Sequence, residues 1–512
     1  MLAREIDFRP NLIPVPELIS LFRECTPRLL VVTDGLNFDA NDDFGLTQFV
    51  TTLETSTIHG MTPQVVKAHR NSDSNADIEG FRFDDPTNGL IKSRYDVVFL
   101  FGIARQFSPI DAAETDAIAA FMQAGGGVFA TGDHEDLGAG MSKDVPRVRE
   151  MRYWLSTETP DIRDTSRLST NLAGDNGVFE FNDQADTHPQ TLYVNYRTDA
   201  GGVGDPHPLL DAGPLGVVDV FPDHPHEGEC HIPGDLTTTF TLNGDTHDEW
   251  PNATSGAGRV SPEMVAMSMS HGDAFPGKEA LVPRSFMAIA AYDGHRAGVG
   301  RVSTDATWHH FVNVNIDGTD SPRSGLQDPP GTDTPEMERI RVYYQNIATW
   351  LMPKNVRRCL RFPWIIRELK RFPLFEEVRV PELDGALPED LRDLGQQFVS
   401  AMQARGPRWR AESLIQDALE DAVGEKRAAE LMELDASYGR LSGREVGLAA
   451  LGGTVAGVVS VLADVKAEKG PIDPKKTFDP MVRKSASMAV RKFQERSLND
   501  IVKVKQRMEA LG

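Results

Sequence analysis

Apolar residues in the first part of the chain come in short unbroken runs, separated by stretches with helical spacing. Arg28–Thr33 (RLLVVT), Gln64–Ala68, Tyr95–Phe101 (YDVVFLF) and Val128–Thr131 read as strands. Asp43–Leu53 and Asp111–Gln123 read as the helices between them, the second with acids in its first turn and a glycine triplet, Gly125-Gly126-Gly127, to stop it. A strand that is apolar at every position needs cover on both faces, so this alternation predicts a doubly wound parallel α/β sheet. Residues 156–262 break the rhythm. They are rich in Gly, Pro, Asp and Thr, offer only Leu192–Tyr196 and Gly216–Val220 as short strands, and read as an insertion over the sheet. The sheet pattern resumes at Ser285–Tyr292 and Gly300–Thr304, and Pro335–Leu351 reads as a closing helix, which bounds an α/β domain at residues 1–352.

From Pro353 the pattern turns helical, and residues 353–512 read as a second, α-helical domain. Val356–Phe372 is basic and amphipathic, and Glu412–Leu434 and Met481–Leu511 are further helices. Val446–Ala463 stands apart as 18 residues without a charge. As a helix it would span about 27 Å, close to the bilayer core. Its four glycines suit close helix packing in lipid or in a soluble core. A buried helix or hairpin and a membrane contact through residues 446–463 are both open on this pattern.

Charge sharpens the division. The chain of 512 residues has a net charge of −23, yet residues 353–512 hold 28 Lys+Arg and 24 Asp+Glu, which leaves 25 and 52 for the rest. A body that acidic argues against nucleic-acid binding and suits cations. Cys25, Cys230 and Cys359 are sparse and lack CxxC spacing, so no disulfide framework is expected. The N-terminal segment lacks the apolar core of a signal peptide, and the expected location is cytoplasmic, with membrane association as the alternative.

All thirteen histidines lie between His59 and His310, and several crowd into acidic stretches. In open parallel sheets ligands bind beyond the carboxyl ends of the strands. Those ends deliver Asp34, then Gly102, then Gly132-Asp133-His134-Glu135-Asp136, then Thr307-Trp308-His309-His310. If the strands are in register, Asp34, Asp133, His134, His309 and His310 meet at one rim, with Asp34, Gly102 and Trp308 as ligand contacts. Turn or helix capping by Asp34 and Asp133 is the alternative. The insertion adds Asp223, His224, His226 and Glu227 within five residues, a set that suits zinc or manganese. Prolines 222 and 225 impose extended backbone, so His224 and His226 point to the same side. A solvated acidic loop is the plain alternative. The glycine-rich Asp199–Gly204 lacks the context of a phosphate loop, and no Gly-x-Ser-x-Gly elbow ends a strand.

Ala120–Gly138 (AFMQAGGGVFATGDHEDLG) and Asp293–Phe311 (DGHRAGVGRVSTDATWHHF) together resemble the class I glutamine amidotransferase-like superfamily, and more closely its ThuA-like branch. The resemblance covers Arg28–Thr131 and Ser285–Leu351 and implies a flavodoxin-like sheet. True amidotransferases carry a Gly-x-Cys-x-Gly elbow after the central strand; here it reads Thr131-Gly132-Asp133-His134-Glu135, without a cysteine. Glutamine hydrolysis by a thiolate is therefore not expected. His309 or His310 matches the family's late histidine.

These observations lead first to a metal-assisted hydrolase acting on a small molecule. His134, His309, His224 and His226, with Asp223 and Glu227, are its candidate zinc or manganese ligands, and Asp133 or Glu135, with His309 and His310, its acid–base groups. A noncatalytic binding or sensing module on the same rim is the second reading. An effector anchored through the helical region is the third.

Overall fold

The apolar strands alternate strictly in which face they serve. Leu29, Val31, Val97, Phe99, Phe101 and Phe129 belong to one buried cluster, and Leu30, Val32, Val98, Leu100, Val128 and Ala130 to another on the opposite face. That is the two-sided burial the unbroken runs demand. The structure is a computed structural model that describes residues 5–6, 22–133, 136–155, 189–198, 204–222, 228–254, 258–270, 284–318, 325–371, 380–381, 383, 385–432, 442–467 and 474–511.

Nine strands form the central sheet: β1 (Arg28–Thr33), β2 (Gln64–His69), β3 (Ile78–Glu79), β4 (Val97–Phe101), β5 (Gly127–Thr131), β6 (Tyr193–Val194), β7 (Glu263–Ser270), β8 (Arg284–Tyr292) and β9 (Val302–Asp305). Their order is β3-β2-β1-β4-β5-β9-β8-β7-β6. The six strands from β3 to β9 run parallel, while β8, β7 and β6 follow antiparallel. The sheet is thus mostly parallel, not wholly so. The pattern marks β8 as a buried strand, but burial alone carries no direction, and β7 and β8 pair side by side as antiparallel neighbours. Part of the predicted insertion, β6, adds an edge strand.

Helices α1 (Thr47–Thr55) and α3 (Pro335–Leu351) pack on one face, and α2 (Ala112–Gln123) on the other. Asp111 caps α2 by accepting from Glu114 N, and Gly125, at φ 87°, ends it in the left-handed conformation that glycine adopts without strain. Thr334 caps α3 in the same way, with Pro335 in its first turn.

The C-terminal region is helical: α4 (Lys354–Arg371), α5 (Pro388–Gln403), α6 (Arg408–Val423), α7 (Glu425–Met432), α8 (Gly443–Ala467) and α9 (Pro474–Leu511). Helix α8 is its centre, with α5, α6 and α9 packed around it. Among the described residues it is the one helix long and apolar enough to cross a membrane, and 89% of that window, within Gly443–Leu462, is buried in the protein. The region sits at the edge where the parallel strands begin. Phe22 packs its ring against Phe362 of α4 and Phe478 of α9, and Arg357 pairs with Asp417 at 2.9 Å. The apolar cluster on the α1/α3 face runs on without a break into the bundle.

Cys25 and Cys359 form a disulfide, with Cα atoms 5.5 Å apart across a separation of 334 residues. This corrects the expectation of no disulfide. Spacing along the chain does not report convergence in space, and Cys25 stands just before β1 where α4 crosses it.

Candidate functional site

The parallel strands end level. Thr33 is in register with Phe101, Phe101 with Thr131, and Thr131 with Asp305. The turns that leave these strands therefore meet at one rim. Those after β4 and β5 approach at van der Waals distance: a Cβ on Gly102 would lie 2.8 Å from Gly138 Cα, and one on Gly138 2.8 Å from Gly132 Cα. Gly102 thus serves backbone packing at the rim. Asp34 reaches across from β1, its Oδ1 accepting from Ile103 N at 2.6 Å and Ala104 N at 3.1 Å. Burial pushes its carboxyl up from the usual range, and the two amides pull against that. Its role in the fold is to cap the turn after β4.

Asp133 is fully buried, and hydrogen bonds to its backbone and side chain fix it. Its N–H donates to Leu137 O, and Trp308 N donates to the neighbouring Gly132 O at 2.9 Å, which ties the turn after β5 to the turn after β9. The buried Arg152 clamps the same two turns, one nitrogen donating to Asp133 O and to Ala306 O, each at 2.8 Å. Thr307 Oγ1 donates to Asp133 Oδ1 at 3.0 Å and accepts from His309 N at 3.0 Å, capping the turn Trp308–His310.

That turn sets His309. Its Nε2 lies 3.5 Å from Asp133 Oδ2, and its Nδ1 lies 3.0 Å from Asn315 Oδ1. With Nδ1–H donated to Asn315, the Nε2 lone pair faces a carboxylate oxygen. Trp308 stacks on the imidazole with ring centroids 4.3 Å apart, and Phe44 meets Trp308 edge-on at 5.7 Å. Phe44 is 40% exposed and forms the outer wall. Its loop is held by Asn313, whose Nδ2 donates to Asp42 O and whose Oδ1 accepts from Gln48 N. Asp39 and Asp42 spend one carboxylate oxygen each on the amides of Asn41 and Phe44.

His310 turns the other way. Its Nδ1 is 2.8 Å from Asp305 Oδ1, Tyr343 OH donates to Asp305 Oδ2 at 2.7 Å, and Phe221 packs on the ring. Burial, with Asp305 beside it, pushes the Tyr343 hydroxyl well above its usual range, so it remains a donor. The structure therefore joins Asp133, His309 and Trp308, while Asp34 and His310 serve other contacts.

His134, Glu135, Asp223, His224, His226 and Glu227 lie outside the described residues. Among the described residues no group of three His, Cys, Asp or Glu is placed to hold a metal ion. The one free cysteine, Cys230, is buried, and burial pushes its thiol up to about 12. Asn315, Arg152 and Phe44 complete the rim without having been singled out in the sequence, and Thr307, read there only as part of the run before the histidine pair, joins them. Asn315 and Thr307 carried a signal, since both are polar residues close to the histidine pair; Arg152 carried none. No family model, no curated protein and no solved structure matches this chain.

Proposed function

We propose that the rim is a hydrolytic site in which His309 and Asp133 act on water. The observation that carries this reading is the buried alignment of Asn315, His309 and Asp133 beyond the level ends of β5 and β9. Asn315 holds the ring and its tautomer. His309 Nε2 takes the proton of an attacking water, and Asp133 stabilises the imidazolium that results. Phe44 and Trp308 give the substrate an aromatic wall.

Zinc or manganese fits this arrangement in part. A ligating histidine characteristically donates its other N–H to an oxygen acceptor, as His309 does to Asn315, and Asp133 Oδ2 is a second donor beside it. Further donors would be His134, Glu135, Asp223, His224, His226 or Glu227. When bound, such a metal supplies Lewis acidity and a water of lowered pKa.

The order of the long parallel strands, β2-β1-β4-β5-β9, supports a flavodoxin-like winding, and the ThuA-like resemblance rests on the two sequence runs around β5 and β9, without an amidotransferase nucleophile after β5. That resemblance directs substrate screening to sugar derivatives and amides. A second reading, a noncatalytic binding module, is favoured by the aromatic wall of Phe44 and Trp308. The test pairs H309A and D133N with elemental analysis of the full chain. Loss of turnover by about 10²–10⁴-fold in both variants, with folding retained, is the expected result. Unchanged turnover in H309A would end the hydrolase reading, and saturable ligand binding without turnover would favour the module.

A further inference from the structure

At the opposite edge of the sheet from Asp133 and His309, the bundle meets the turn before β2. Ile58 and Met61 exchange backbone hydrogen bonds around His59 and Gly60, both at positive φ, 48° and 85°. A histidine in the left-handed region is strained where glycine is not, and such strain is retained where the surroundings over-determine it. Here it delivers the imidazole onto Trp364 of α4, with ring centroids 4.2 Å apart. His59 is only 5% exposed, and its Nδ1 has no hydrogen-bond partner in the structure.

The pocket that His59 lines has a volume of about 140 Å³ and is otherwise dominated by arginine: Arg367 and Arg371 from α4, Arg405 and Arg410 from the α5–α6 junction. Arg367 and Arg371 make no hydrogen bond or ion pair within 4 Å with any described residue. Arg410 donates to Asn346 Oδ1, while its Nε is sealed from solvent without a partner. The single acid in the lining, Glu368, is buried, and burial raises its carboxyl toward the neutral form. Arg367, Arg371 and Arg410 thus line the pocket with one carboxyl among them, in a protein whose net charge is −23.

We infer that this pocket binds a compact oxyanion of the phosphate type, either free or as the terminal phosphate of a small molecule. Guanidinium forks match phosphate oxygens in pairs, and an anion here gives Arg367 and Arg371, which lack a partner of their own among the described residues, a shared counter-charge. At about 140 Å³ the pocket has room for the phosphate group of a larger molecule. Anion binding here is independent of hydrolysis at the rim.

The experiment is calorimetric titration of the full-length protein with inorganic phosphate, with a phosphomonoester such as glycerol 3-phosphate, and with chloride at matched ionic strength. Saturable binding of phosphate or the monoester, absent for chloride, is expected, together with ligand-dependent thermal stabilisation. Tighter binding of the monoester assigns the site to a phosphorylated small molecule, and equal binding to the free ion. R367Q and R371Q, which change partly exposed side chains, should each weaken binding about tenfold, while R408Q, outside this pocket, should not. No saturable heat for either anion, or binding unaltered in the R367Q/R371Q pair, would overturn the inference.

Discussion

Asn315 determines what His309 can do. Its side-chain oxygen fixes which ring nitrogen carries the proton, and so which one faces Asp133. Removing it takes away the acceptor that holds the Nδ1–H tautomer, while Trp308 still stacks on the ring. We expect N315A to lower kcat by about 10–100-fold with little change in KM, the range for loss of a histidine's orienting partner. The histidine ring nitrogens in an NMR spectrum offer a check independent of substrate: the Nδ1–H tautomer of His309 should dominate in the parent protein and be lost in N315A. An unaltered tautomer population would mean that Asn315 only fills space. At this scale the sequence was partly legible. Asp133 and His309 were visible because each follows an apolar strand, and strand ends converge. His310 could not be told from His309, since one residue of helical turn decides which meets the rim and which meets Tyr343. Arg152 was invisible: it acts on backbone carbonyls, which leave no pattern in side-chain types.

Among the elements, α8 shows most clearly why small residues matter. A Cβ on Gly452 would fall on the carbonyl oxygen of Leu391 in α5, and one on Gly395 of α5 on the carbonyl oxygen of Leu448 in α8. The two helices therefore touch backbone to backbone, and the glycines at their crossing leave no room for a side chain. G452V should force them apart and cost about 1–3 kcal/mol, the range for overpacking, read as a lower midpoint in urea unfolding. A substitution at Gly424, where a Cβ would meet open space, probes only its φ of 86° and should cost less. That same Gly424 explains a misread boundary. The pattern over Glu412–Leu434 reads as one helix, but the chain turns at this glycine and makes two. Helix α5 lies outside the elements expected from the sequence, although Pro388, the acids behind it, and Leu391, Leu394, Phe398 and Met402 at helical spacing all announce it. The direction of β8 was not legible, because a buried strand has the same composition whichever way it runs.

For the molecule as a whole, the disulfide and the continuous core bind two regions that composition separates. A shift in charge at Pro353 marks a change of surface, not a break in the interior: Cys25, Phe22 and His59 all pack on α4. Thiol titration of the unfolded, unreduced protein should find one reactive thiol, Cys230, and three after reduction. Reduction, or C25S, should lower stability by about 2–4 kcal/mol, seen as a lower melting temperature. Three thiols before reduction would show that the pair is not oxidised in the isolated protein.

The triad of Phe22, Phe362 and Phe478 has a consequence for how the chain is made. Synthesis runs from the amino end, and Phe478 emerges 456 residues after Phe22. Until then α4 alone covers the start of the first strand, and part of the apolar surface beside it stays wet. A nascent chain halted before α9 would carry that surface exposed, so the fold closes only once α9 has been made, and chaperones have access to Phe22 throughout that interval.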